Sequence, residues 1–152
     1  MDKYYMSLAI EEAKKALMTD DVPIGAVIVK DGEIIASEHN LRQANKDATA
    51  HAEILAVKKA CEKLGTRFLD GCTMYVTLEP CPMCAGAAIN SGISRVVFGA
   101  FDSRDGSFGS LINLSSFPYS RRPQTEGGIM EEECKKMLSG FFSELRRKKE
   151  NK

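Results

Sequence analysis

Two short segments, His51-Ala52-Glu53 and Pro80-Cys81-Pro82-Met83-Cys84, constrain this chain more than any other feature. They offer three metal-ligating side chains, His51, Cys81 and Cys84, and one carboxylate, Glu53, that need not bind metal. Three protein ligands leave the fourth position of a tetrahedral zinc ion open to water, which separates catalytic sites from structural ones. Any fold must therefore bring the two segments together. Cys81 and Cys84 are three positions apart, so on the first turn of a helix both thiols face the same way. The free N–H groups and positive dipole end there favour thiolate, the form that binds metal. His51, near the start of a preceding helix, completes an S₂N donor set that suits zinc.

Hydrophobic patterning supplies such helices. Met6, Ala9, Ile10, Ala13 and Leu17 share one face of a helix expected from about Lys3 to Met18. Ile24 to Val29 reads as a mostly buried strand, Asp31-Gly32 as a tight hairpin turn, and Glu33 to Ser37 as the returning strand. After a polar loop, Ala50 to Leu64 reads as a helix with Ile54, Val57, Cys61 and Leu64 as its apolar stripe, stopped by Gly65. Thr73 to Thr77 and Arg95 to Gly99 are two more strands. Between them Pro82 opens a helix reaching about Asn90, since a first-turn proline loses no needed N–H. The stretch from Ala100 to about Glu126 is expected as a loop with a short helix near Leu111–Leu114 and a short strand near Gln124. A last helix from about Met130 to Arg147 carries Cys134, Met137, Leu138, Phe141 and Leu145 on one stripe. Strands interleaved with helices argue an α/β layered domain, and the first hairpin makes the sheet mixed rather than purely parallel. Neighbouring α/β units bring helix N-termini together at one end of the sheet, the end where such sheets bind ligands.

Length and composition set the outer bounds. The 152 residues suit a single domain, residues 1–152, large enough to bury a core without disulfides. Lys+Arg and Asp+Glu both total 21, so whole-chain charge gives no argument for nucleic acid. Local charge remains in Arg121-Arg122 and in Arg146-Arg147-Lys148-Lys149, the latter also explained by a helix C-terminus. No signal peptide or membrane-length apolar run is visible. With Cys81 and Cys84 assigned to metal, Cys61, Cys72 and Cys134 read as small core residues. The expectation is a soluble protein of a reducing cytoplasm.

Glu53 is the residue that separates an enzyme from a metal-stabilised module. Placed two residues from His51 at a helix start, it can flank the metal and move protons while zinc brings the pKa of water towards about 7. A structural zinc site would need a fourth ligand, for which His39 or Cys72 could be put forward. A lone Cys-x-x-Cys could be redox-active. The ordered set His-x-Glu then Pro-Cys-x-x-Cys, however, is the signature of zinc nucleobase deaminases.

Beyond that motif the chain resembles the bacterial tRNA-specific adenosine deaminases, which convert a wobble adenosine to inosine. The resemblance runs from about Met6 to Arg147. It rests on Val22-Pro23-Ile24-Gly25-Ala26-Val27, His39-Asn40, Ala50-His51-Ala52-Glu53, Tyr75 to Ala87, Val96-Val97-Phe98-Gly99-Ala100, Gly109-Ser110-Leu111, Glu132-Glu133-Cys134 and Phe141-Phe142. It implies a three-layer α/β/α sandwich with a mixed five-stranded sheet, cytidine-deaminase-like, and one Zn2+ per subunit on His51, Cys81 and Cys84. It also implies Glu53 as proton shuttle, Asn40 on the target base, Pro23, Ile24 and Gly25 lining the pocket, and Asp102 near a ribose hydroxyl. The implied partners are a tRNA anticodon stem-loop and a second copy in a homodimer, with no membrane. One departure stands out: the family's Asn-His pair before the last helix is replaced by Phe117-Pro118-Tyr119-Ser120-Arg121-Arg122-Pro123. There Tyr119 could stack on a base and Arg121 could meet phosphate. The alternatives are a deaminase of free guanine or cytosine, and a non-catalytic zinc-stabilised RNA-binding protein.

Overall fold

The computed structural model describes residues 1–151. Five strands form one mixed sheet in the order β2-β1-β3-β4-β5, where β1 is Gly25–Lys30, β2 Glu33–His39, β3 Cys72–Leu78, β4 Arg95–Ala100 and β5 Gln124–Gly127. β1 pairs antiparallel with both β2 and β3, whereas β3, β4 and β5 run parallel. The Asp31-Gly32 turn closes the hairpin as expected. Both residues have positive φ, 50° and 76°, which matches the twist of the flanking strands.

The helices cover both faces. α3 (Ala52–Leu64) and α4 (Pro82–Asn90) pack on one face against Ala26, Ile28, Met74, Val76, Val96 and Phe98. α1 (Asp2–Lys14) and α5 (Glu131–Glu150) cover the other, against Val27, Val29, Tyr75 and Val97. Alternate residues along each central strand thus feed opposite cores. A short helix, α2 (Arg42–Asn45), lies in the polar loop where the sequence signals none.

Two apolar stripes fall differently from expectation. On α3 the residues against the sheet are Ala52, Glu53, Ala56 and Ala60, while Ile54, Val57, Cys61 and Leu64 are only half-buried. Alanines let the helix axis approach the strands, and the larger side chains spread to its flanks. On α5 only Cys134 is buried, Met137 and Leu138 are partly covered, and Leu145 is exposed. At 20 residues α5 is far longer than its four-residue neighbour β5, so its second half has no sheet to cover. Leu17 is likewise exposed, because α1 tightens into a 3-10 turn at Lys15–Thr19.

Gly25 and Arg95 mark the closest α1 contacts. A Cβ on Gly25 would lie 2.6 Å from the Ala13 nitrogen, closer than any real side chain sits to backbone. Arg95 at the start of β4 forms a two-pronged pair with Asp2 on α1 (2.9 and 2.8 Å), and Tyr75 donates to the same carboxylate at 2.8 Å. The Arg95 hydrogen bonds hold the Asp2 carboxyl down at about 2. A depressed acid stabilises the fold above its unfolded pKa and ceases to do so as pH falls through its folded one. Asp2→Asn is therefore expected to cost about 1 kcal/mol or less at neutral pH, as the pair is partly solvated. In urea titrations the gap from the parent should close between about pH 4 and pH 2, the window set by this shift.

Candidate metal and catalytic site

The antiparallel and parallel pairings deliver several chain segments to one edge of the sheet. β3 ends at Leu78 opposite Ala100, the end of β4, and β1 begins opposite the end of β2, Gly25 facing His39. The segments leaving or entering the sheet here carry Ile24, Asn40, His51, Glu79, Cys81 and Asp102.

Each helix on this side starts at a ligand-type residue. His51 is the N-cap of α3 and Cys81 the N-cap of α4, with Pro82 at the first helical position. Both caps are extended, with ψ of 149° and 174°, and the His51 side chain makes no capping hydrogen bond. Its Nδ1 faces both sulfurs, 3.7 Å from Cys81 Sγ and 3.5 Å from Cys84 Sγ. Nitrogen and sulfur ligands of one tetrahedral zinc, at bonds of about 2.05 and 2.3 Å, stand about 3.6 Å apart. The ligand atoms of the three residues all lie within 4.8 Å of one another. The donor set therefore fits a single small, borderline-soft cation.

The protonation pattern is that of a site built for positive charge. The Cys81 thiol is pulled down to about 4, first by the hydrogen bond from Cys84 and then by His51. Cys84 moves up, as the donor in that bond and as a buried group. His51 is raised by its hydrogen bond to Cys81. A cation held among them would let both thiols ionise. Glu53, in the first turn of α3, is 4 % exposed, and burial pushes its carboxyl up to about 7. It stands beside Cys84 without joining the three-ligand cluster.

A cavity of about 290 Å³ opens over these groups, lined among others by Val22, Ile24, Arg42, His51, Glu53, Cys81 and Asp102. That lies at the lower end of small-ligand pockets, room for one base with part of its sugar. A wider cleft of about 890 Å³ lies between Leu17 and α5, but it holds no nucleophile, ligand cluster or buried acid. The smaller cavity is the one lined by ligand-type residues and a buried acid. Asn40 adjoins it, in a cleft that shares Val22, Arg42 and Phe142 with it. Asn40 is 2 % exposed, its Nδ2 donates to Val22 O at 3.3 Å, and its Oδ1 is buried with no partner among the described residues. An unpaired buried acceptor is costly unless a ligand completes it.

The other sequence candidates divide. Ile24 lines the cavity and Pro23 is buried beside it, whereas Gly25 faces α1, its N–H donating to Thr77 Oγ1 at 3.2 Å. Tyr119 and Arg121 are not brought to the cavity within this chain. β5 is parallel to β4, so residues 101–123 must return to the opposite end of the sheet. There the Arg121 guanidinium stacks 4.2 Å from the Phe68 ring centre, in a cleft with Ser94 and Gln124, and Tyr119 is exposed next to Phe117. Leu138 and Phe142 reach the cavity from α5; in the sequence Leu138 reads as core stripe, and Phe142 carries resemblance to the family but no role at the site. Nor does the sequence signal the buried carboxyl groups Asp21 and Glu79 that hold the surrounding loops.

Comparison with known proteins agrees with this geometry. A family model for MafB19-like deaminases matches residues 1–146. A tRNA-specific adenosine deaminase of Bacillus subtilis is 54% identical over 149 residues, covering 97% of this chain and 92% of the relative. A solved tRNA:A34 deaminase, studied for A-to-I editing at the wobble position, superposes with a TM-score of 0.86 at 43% identity, over 89% of this chain and 99% of that one. A guanine deaminase from Nitrosomonas europaea superposes with a TM-score of 0.80 at 26% identity, over 91% of this chain and 83% of that one. Sequence, fold and site geometry agree that this chain belongs to the family of tRNA-specific adenosine deaminases.

Proposed function

We propose that this protein hydrolyses adenosine to inosine and ammonia at the wobble position of a tRNA anticodon, and that residues 1–152 form one catalytic domain. The observation that carries the reading is the buried carboxyl of Glu53 beside the His51, Cys81 and Cys84 cluster, at the floor of a base-sized cavity. The identity to tRNA-specific relatives supports the substrate.

His51, Cys81 and Cys84 would hold one zinc ion per subunit. When bound, that ion supplies a Lewis acid that brings the pKa of water towards about 7. Glu53 takes a proton from the water that attacks C6 of the adenine and passes it to N1. It then takes the remaining proton from the C6 hydroxyl and delivers it to the departing C6 nitrogen, so the C6–N bond breaks, ammonia leaves and the C6 oxygen stays as the carbonyl of inosine. Asn40 orients the base through its unpaired Oδ1 and the second N–H of its Nδ2. Ile24 and Val22 form an apolar wall against the ring. Asp102 lines the cavity, and its carboxylate would accept from a ribose hydroxyl there. A base already unpaired in a loop costs least to extrude, which favours an anticodon target.

Tyr119 and Arg121, at the far end of the sheet, contact RNA in this reading only where it extends beyond the pocket, or across the interface of a homodimer. No described helix is long and apolar enough to cross a membrane, and a tRNA substrate fits a cytoplasmic site of action.

Glu53→Gln should retain zinc, measured by metal analysis, while kcat falls by about 10²–10⁴-fold. Sustained turnover by zinc-loaded Glu53→Ala would sink the proton-shuttle role. Incubation with an anticodon stem-loop, free adenosine, guanine and cytosine should form inosine within the stem-loop and release ammonia from that substrate alone. Ammonia from guanine would instead favour a free-base deaminase. Chelation should abolish turnover and leave the circular dichroism spectrum intact, since neither hydrophobic core includes His51, Cys81 or Cys84. Unfolding on chelation, with Glu53 dispensable, is what a zinc-stabilised binding protein would show.

A further inference from the structure

Glu79 sits between the end of β3 and Pro80-Cys81, and is 2 % exposed. Four donors converge on its carboxyl group. Oε1 accepts from Asp102 N at 3.1 Å and from Ser110 Oγ at 2.5 Å. Oε2 accepts from Phe108 N and Ser110 N, each at 3.1 Å. These bonds fill the acceptor sites that a carboxyl group offers.

All four donors belong to one loop, the segment that leaves β4 and carries Asp102, Arg104 and Asp105 into the cavity wall. The loop is further tied to the same anchor by Ser107 N donating to Pro80 O at 2.9 Å. Gly106 passes directly over the carboxyl group; a Cβ there would fall 2.5 Å from Glu79 Oε1. The Asp102 side chain is itself held. Its Oδ1 accepts from Arg104 N at 3.0 Å and Asp105 N at 3.2 Å, and no partner is found for its Oδ2 among the described residues. One oxygen is thus committed to the loop and the other is free.

We propose that Glu79 is a positioning residue for substrate binding: it fixes the Asp102–Ser110 loop, and with it the free oxygen of Asp102, at a set distance from Cys81. A buried carboxyl group is an expensive way to fasten a loop, because apolar packing would cost less desolvation. It does supply what packing cannot, a bond direction for each of four donors from a point two residues from a metal-type ligand. Loosening it moves the pocket's mouth and leaves its floor in place.

The proposal rests on the reading of Asp102 as a substrate contact, and the test separates the two. Glu79→Gln keeps the shape but turns an NH₂ towards loop N–H groups. Steady-state kinetics on an anticodon stem-loop would compare Glu79→Gln, Asp102→Asn and the double variant, alongside zinc content and melting temperature. The expected result is a full zinc complement, KM raised about tenfold and kcat within about threefold for each single variant. The double variant should be no worse than Asp102→Asn alone, because both changes remove one contact. An unchanged KM in Glu79→Gln with a lower melting temperature would make Glu79 purely structural, and effects that multiply in the double variant would also overturn the proposal. An unchanged KM in Asp102→Asn alone would instead defeat the reading of Asp102. If Glu79→Gln does not fold, Ser110→Ala decides. It removes one exposed donor, and should raise KM about two- to fivefold at normal zinc content; no change in KM there would count against the proposal.

Discussion

Everything at the site depends on the parallel pairing of β3 with β4, in a register that sets Leu78 opposite Ala100. Parallel neighbours release their chains at the same edge. The chain leaving β3 begins α4 with Cys81, while the chain leaving β4 begins the Asp102 loop beside it. On the other side β1 is antiparallel to β3, so its first residues, and the last of β2, arrive at this same edge. Had β3 and β4 been antiparallel, Asp102 and Cys81 would stand a sheet's width apart.

The edge so formed is polar. Its loops are held by buried carboxyl groups as well as by apolar anchors such as Phe108. Asp21 accepts from Gln43 N at 2.6 Å, Ala44 N at 3.3 Å and Thr19 Oγ1 at 2.6 Å, which pins the α2 turn next to Arg42. Glu12 bonds His39 and Ser37 and fastens the end of β2 to α1. With Glu79, these acids fasten the segments that converge on this edge. Among the described residues, Asn40 Oδ1 and Asp102 Oδ2 are left without partners.

Much of this was legible in the residues. Asp31-Gly32 announced its hairpin through its need for positive φ, and Pro82 announced the first turn of α4. The metal-type ligands were readable because their spacing obeys local helix geometry. What failed depends on distant neighbours. Periodicity on α3 could not show that Ala56 and Ala60, rather than Ile54 and Val57, meet the sheet, since small and large residues there share the helical repeat. The stripe on α5 looked like core because the sequence does not state where the sheet ends. Tyr119 and Arg121 are close in sequence to the strand that follows them, but only the direction of β5 decides which end of the sheet they reach. Glu79 gave no signal at all, for its partners are 23 to 31 residues away.

The contact at Gly25 leaves no space between α1 and β1 even for one methyl group. Ile24, the neighbouring residue, is a wall of the cavity. That wall is thus backed by close-packed interior and has no slack to yield when a base arrives. The nucleotide must do the conforming, and little binding energy is spent on reshaping the protein. On this side of the cavity discrimination among bases then falls to a fixed wall, whose position could be altered from behind, through Ala9 or Ala13, with no change to any residue that touches substrate.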